Sequence, residues 1–234
     1  MNTRLAYRSI GGTIALACLG LSTAALADRK CSGTIGAVTV DDNVVVQNAS
    51  CTLSGTIVKG NVLVYSGGKL KTLGAQIDGN IQAKDAISIT VEPNTYVDGD
   101  IQLENLSGTT KVTYSEVTGN IQLKYNRRGV TVNYNTVNGD IQFEELKASK
   151  YVANVRYNTV GGNVQMTKNT LKTLGLLSNR VDGDMQAFEN RSSSALVIRD
   201  NNIRQNLQCK SNNRAPTGGA NIVGGSKEDQ CKNL

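Results

Sequence analysis

Three carboxylates have the strongest claim to chemistry: Asp78 and Asp98 hold equivalent positions in consecutive repeat units, and Asp98-Gly99-Asp100 adds a third acid two positions on. In a fold that stacks such units, these hard oxygen ligands would converge as a Ca²⁺ site. A solvated acidic edge is the plainer reading. Asp182-Gly183-Asp184 repeats the tripeptide, but its equivalent one unit earlier is Gly161, which makes it the weaker candidate. The chain has no His, so the usual Ser-His or Cys-His nucleophile is unavailable. No basic residue stands against Asp78 and Asp98 either, since Arg180, Arg199 and Arg204 fall on different columns or in the last coils.

The repeat itself is plain. Gly-(Asn/Asp)-(Ile/Val)-Gln or a close variant begins at Gly60, Gly79, Gly99, Gly119, Gly139, Gly162 and Gly183, then degenerates at Gln205-Asn206-Leu207-Gln208. Successive starts are spaced by 19, 20, 20, 20, 23, 21 and 22 positions. Around each motif the pattern has period two, as in Val137, Gly139, Ile141 and Phe143 against Asn138, Asp140 and Gln142, which predicts a half-buried strand. No unit shows a helical period. Two or three short strands per 20-residue turn predict an all-β fold, a single-chain parallel β-helix of about eight to nine coils. The crossover preference and the asparagine position below make it right-handed. A leucine-rich repeat would fit by length, but its regular Leu spacing is missing.

Stacked coils place equivalent residues about 4.8 Å apart, so each column can be read separately. The column Ala83, Leu103, Leu123, Phe143, Met166, Ala187, Cys209 is apolar, and the column Ile77, Val97, Val117, Val137, Val160, Val181, Ile203 is aliphatic. Both should line the core. The column Asn80, Asp100, Asn120, Asp140, Asn163, Asp184, Asn206 alternates amide and acid, which keeps carboxylates two coils apart. Gln82, Gln102, Gln122, Gln142, Gln165, Gln186 and Gln208 should form an amide ladder, or a flat polar grid for a repetitive polymer such as a glycan. Tyr114, Tyr134 and Tyr157 fall at equivalent positions and should stack, with their strand alternation placing them toward the core.

Asn135, Asn158, Asn179 and Asn201 mark a turn, where Asn tolerates a left-handed backbone. Stacked there, they resemble the asparagine ladder of right-handed β-helices such as the pectate-lyase group. That likeness is one of fold and carries no activity with it. The Val-x-Gly-Asn-(Ile/Val)-Gln coils, and an ending of Asn206-Leu207-Gln208-Cys209-Lys210, Ala215-Pro216-Thr217-Gly218-Gly219 and Lys227 to Cys231, also resemble a group of uncharacterised bacterial secreted proteins.

Residues 1–27 carry Arg4 and Arg8, an apolar run from Ile14 to Leu21, and small residues ending Ala25-Leu26-Ala27, the pattern of a cleaved secretory signal. Leu16-Ala17-Cys18 faintly resembles a lipoprotein box, but Ala15 stands where that box wants Leu, and cleavage after Ala27 removes Cys18. Of the four remaining cysteines, Cys31 and Cys51 are separated by about one coil, and so are Cys209 and Cys231. That spacing pairs them as two disulfides that staple the first and last coils. Such bonds suit an oxidising compartment, secreted or periplasmic. The layout is therefore a signal at 1–27, an N-terminal cap with first coils at 28–59, repeats at 60–208 and a C-terminal cap at 209–234.

Loss of the signal's two arginines lowers the net charge from +6 to +4, and no dense Lys/Arg block stands behind it. Nucleic acid is not expected as a partner, nor membrane insertion, and the charge reads as scattered and solubilising. With coil lengths almost constant and no long loops to build a cleft, the sequence points to a non-enzymatic, monomeric exported β-solenoid without a cofactor, in a structural, surface-associated or ligand-binding role. The alternatives are a small calcium-dependent, lyase-like enzyme acting at Asp78, Asp98 and Asp100, and a self-assembling scaffold.

Overall fold

A computed structural model describes residues 28–234; the signal sequence read at 1–27, with Cys18, lies outside the described residues. Every strand among them is parallel to its neighbours, and they form three sheets of eleven, ten and ten strands. One coil shows the plan. Ile101–Glu104 lies in the eleven-stranded glutamine sheet, Thr110–Thr113 in a second, broad sheet, and Glu116–Val117 in a short sheet. Ile121–Lys124 then returns to the glutamine sheet one coil on, pairing in register as Ile101 with Ile121 and Gln102 with Gln122.

The period-two run around the motif is thus two strands joined at a corner, Thr136–Val137 and Ile141–Glu144. Alternation carries through the corner because Val137, Ile141 and Phe143 all point inward and are buried. The chain makes about ten coils. The excess over eight or nine comes from residues 28–59 and 209–234, which fold into coils of the same three sheets: Arg29–Lys30, Gly33–Ile35 and Thr39–Val40 at one end, Thr217–Gly219, Ile222–Val223 and Lys227–Asp229 at the other.

Both aliphatic columns line the core. Phe143 and Val137 are 1% exposed, and Leu103, Met166, Val97 and Val160 are equally enclosed. Full burial of each such side chain contributes roughly 1.5–3 kcal/mol, and their β-branched members suit the pleat.

Two of the three corners depend on a residue with positive φ. Between the glutamine and broad sheets it is, for example, Asp85, Asn105, Tyr125, Glu145 and Glu189; between the broad and short sheets it is, for example, Tyr114, Tyr134 and Tyr157, all near 50–60°. The left-handed position is therefore the residue before the ladder asparagine, because the asparagine's own side chain must turn inward. The third corner works differently. A Cβ on Gly79 would lie 2.7 Å from Asn61 Oδ1 and 2.8 Å from the Gly60 carbonyl, so only glycine lets adjacent coils approach there.

The longer steps of the later coils add no loop. They lengthen strands of the broad sheet, from four residues at Val130–Asn133 to ten at Lys147–Arg156, eight at Thr170–Leu177 and nine at Arg191–Arg199. The extra residues bulge between Ala148 and Val152 and between Leu171 and Thr173.

Candidate functional site

The outer face of the glutamine sheet forms a long groove of about 650 Å³, and its floor is the Gln column. In each Ile-Gln-Leu-Glu type strand the aliphatics turn in and the polar pair turns out. Gln82 donates its amide to Gln102 at 3.1 Å, and Gln102 to Gln122 at 3.3 Å. The chain of bonds continues through Gln142, Gln165, Gln186 and Gln208, and ends on the Glu228 carboxylate at 2.9 Å. Beside it, Lys84, Glu104, Lys124 and Glu144 alternate in sign, with Lys84 3.5 Å from Glu104 and Lys124 2.9 Å from Glu144. Glu144 holds the Lys124 ammonium above its usual pKa. The groove is shallow, internally bonded and neutral across pairs, a surface able to lie against a flat polymer.

Three further ladders of polar side chains hold the corners. Asn158 accepts the backbone N–H and the side-chain amide of Asn135, both at 3.0 Å, and donates to Val132 O at 2.8 Å and to Asn179 Oδ1 at 3.0 Å. Asn179 and Asn201 repeat this scheme, which extends to Asn221. A second buried ladder, Asn169, Asn190 and Asn212, ends on Gln230 at the corner between the glutamine and broad sheets. It escapes a column-by-column reading because Ala86, Leu106 and Leu146 interrupt it. Asn126 shows the result: its Oδ1 accepts from the Leu106 backbone, but its Nδ2 finds no partner, since Leu146 offers none.

The third ladder is the alternating Asn/Asp column. Asp100 Oδ1 accepts the Asn120 backbone N–H at 2.7 Å and its amide at 3.0 Å, and Asn120 Oδ1 in turn accepts the Asp140 N–H at 2.8 Å. Each acid is flanked by amide neighbours, so the alternation both separates charges and satisfies backbone donors.

The tyrosines do not face the core. Tyr114, Tyr134 and Tyr157 are 54%, 44% and 52% exposed, because the left-handed corner backbone turns their side chains outward. Their rings stack on one another with centroids 4.6 and 4.8 Å apart. The ring faces between neighbours, both faces of Tyr134 among them, are thereby covered. Each stacked pair contributes about 0.5–1.5 kcal/mol, comparable with the cost of an aromatic at positive φ, roughly 1–2 kcal/mol.

The three aspartates have separate partners. Asp78 pairs with Lys59 at 2.8 Å and accepts from Gln76, and Lys59 in particular holds its carboxyl below the usual range. Asp98 accepts from Tyr96 and Thr118, while Asp100 belongs to the corner ladder. Desolvation of the Tyr96 phenol, then the Asp98 carboxylate, raises the Tyr96 pKa. Among the described residues no three His, Cys, Asp or Glu side chains are grouped to share a metal ion. Arg180 and Arg199 sit by Asp182 and Asp200, many coils from Asp78.

Cys31 and Cys51 are bonded, as are Cys209 and Cys231, with Cα atoms 5.5 and 5.2 Å apart in adjacent coils. No family model, curated protein or solved structure matches the chain.

Proposed function

We propose that this chain is an exported, non-catalytic β-solenoid, a rigid rod whose outer faces serve a structural or ligand-binding role outside the cytoplasm. The observation that carries the reading is the continuity of the three sheets from Arg29 to Asp229, in which added residues lengthen strands and no loop builds a cleft. Function on such a scaffold resides on its faces. The two disulfides favour an oxidising compartment, and the pattern of residues 1–27 supplies the export signal. On the same reading the coil is right-handed and related in form to the pectate-lyase group, with the chemistry of that group absent.

Two experiments bear on this. N-terminal sequencing of the exported protein should begin at Asp28; retention of residues 1–27 in a cytoplasmic product would overturn export. Incubation of the mature chain with Ca²⁺ and polygalacturonate should release no unsaturated product. Release that disappears in Asp98→Ala would establish the lyase instead.

A further inference from the structure

Charge is distributed unevenly along the rod. Residues 28–120 carry 7 Lys/Arg and 10 Asp/Glu, net −3, whereas residues 121–234 carry 16 and 9, net +7. Because coils follow one another along the axis, these halves of sequence are halves of the molecule. In the later half the excess is gathered on one side. The broad-sheet segments of the last five coils, 127–133, Lys147–Arg156, Thr170–Leu177, Arg191–Arg199 and 213–219, contain no Asp or Glu.

The cations cluster where these segments leave the corner. Arg127 and Lys147 occupy one column, which continues through Thr170 to Arg191, since Lys147 pairs with Thr170 and Thr170 with Arg191. Beside it stand Arg128, Lys150, Lys172 and Arg214, all exposed. Lys150 and Lys172 are themselves bulge residues: Ser149-Lys150-Tyr151 is extruded opposite Lys172, and Lys172 lies opposite Ser193-Ser194. The residues that lengthen these coils therefore bring cations and hydroxyls to the surface. The nearest acids, Glu145 and Glu189, are the left-handed corner residues two positions before Lys147 and Arg191, and Glu189 lines one depression with Thr170 and Arg191.

Among the described residues none of these seven cations forms an ion pair. Some are instead fixed by neutral groups. Arg128 lies 5.0 Å over the Tyr151 ring and donates to Ser107 O at 3.2 Å, and Arg214 donates to Ser192 O at 2.9 Å. One sign of charge, partly preoriented and not ion-paired, spans five coils, four steps of about 4.8 Å or roughly 19 Å along the axis. Exposed Ser149, Ser193 and Ser194 interleave hydroxyl groups with the cations.

We propose that the broad-sheet side of this corner in the last five coils, whose own segments hold no acid, is a binding face for an acidic polysaccharide, its carboxylates or sulfates pairing with the cation rows and its hydroxyls with the bulge serines. The choice of polysaccharide over nucleic acid rests on the exported reading and on the face itself. Its two aromatics are covered by cations, Tyr151 by Arg128 and Tyr125 by Lys147 and Lys124, which leaves bases no open ring on which to stack.

The test uses the mature chain with both disulfides formed, titrated with polygalacturonate, dextran sulfate, neutral dextran and single-stranded DNA of matched charge. Both acidic polysaccharides should bind, neutral dextran should not, and affinity should fall as salt rises. Arg128→Gln/Lys150→Gln/Lys172→Gln should weaken binding roughly tenfold or more at low salt, whereas Lys30→Gln/Lys59→Gln/Lys69→Gln, with the same charge loss in early coils, should stay within about twofold. The single Lys172→Glu, on an exposed bulge, should weaken it about fivefold and guards against a misfolded triple variant. Equal losses in the two triple variants, no binding to either acidic polymer, or tighter binding to DNA would each overturn the proposal. Export is measured separately by fractionation, so failure of one claim leaves the other standing.

Discussion

The first and last coils of the broad sheet bury the same kind of core and differ in what they show to water. In the early coils Glu92 sits between Lys71 at 2.8 Å and Lys111 at 3.4 Å, so that sheet neutralises its own lysines. In the late coils the strands are longer, bulged and free of acids, and the cations at the corner toward the glutamine sheet form no ion pair among the described residues, Arg199 at the opposite corner alone pairing with Asp200. The inward columns of a solenoid are constrained at every coil, whereas the outward ones can change from one coil to the next at little cost. Differences between coils on the outside are therefore where function can be written.

The sharpest way to break the equivalence of the two ends is to open their disulfides. Cys209→Ser/Cys231→Ser should cost about 3 kcal/mol by the loop-closure estimate, and Cys31→Ser/Cys51→Ser about the same, since the sequence separations are 22 and 20. Denaturant unfolding of both variants checks this, and an end whose disulfide proves dispensable would mark the less cooperative end of the rod. The corner ladders offer a second contrast. Asn158→Ala strips partners from Asn135, Asn179 and Val132 in a buried setting and should cost about 3 kcal/mol, while Asn126→Ala, whose Nδ2 is already unpaired, should cost about 1 kcal/mol. A chevron for each variant would give both values.

Much of this architecture is legible in the amino-acid sequence. The Gly-(Asn/Asp)-Ile-Gln spacing yields the solenoid, its inward columns and the line of glutamines, because every coil repeats those residues at one place and period two carries through the corner at Gly139. The outward tyrosines are not legible. Their alternation mimics a core position, and only the positive φ at Tyr134 reverses it. The basic corner is hidden for another reason. Its cations stand at different offsets in successive coils and a full coil apart in sequence, so Arg128, Lys150 and Lys172 look scattered until the bulges gather them.

Smaller effects separate the two halves further. Replacing Lys150 and Lys172 by Gln should leave stability within about 0.5 kcal/mol or raise it slightly, because exposed like charges repel and no ion pair is lost; thermal melts at low and high salt would show it. The early half should respond to acid. Lys71, with Lys111, holds the Glu92 carboxyl below its usual range, and Lys59 does the same for Asp78. Their contribution is complete above the unfolded carboxylate value near 4 and fades as pH falls through the lowered folded values, a loss of no more than about 1 kcal/mol for such exposed pairs. Glu92→Gln should remove part of that acid sensitivity, read from melting temperatures between pH 5 and pH 2.

The most direct measurement is amide hydrogen exchange of the mature chain with and without polygalacturonate. Protection should concentrate in peptides covering 127–133, 147–156, 170–177 and 191–199, with the early coils and the glutamine strands unchanged. Protection centred on the glutamine strands 81–104, or spread evenly over all coils, would contradict the assignment of binding to the late basic corner.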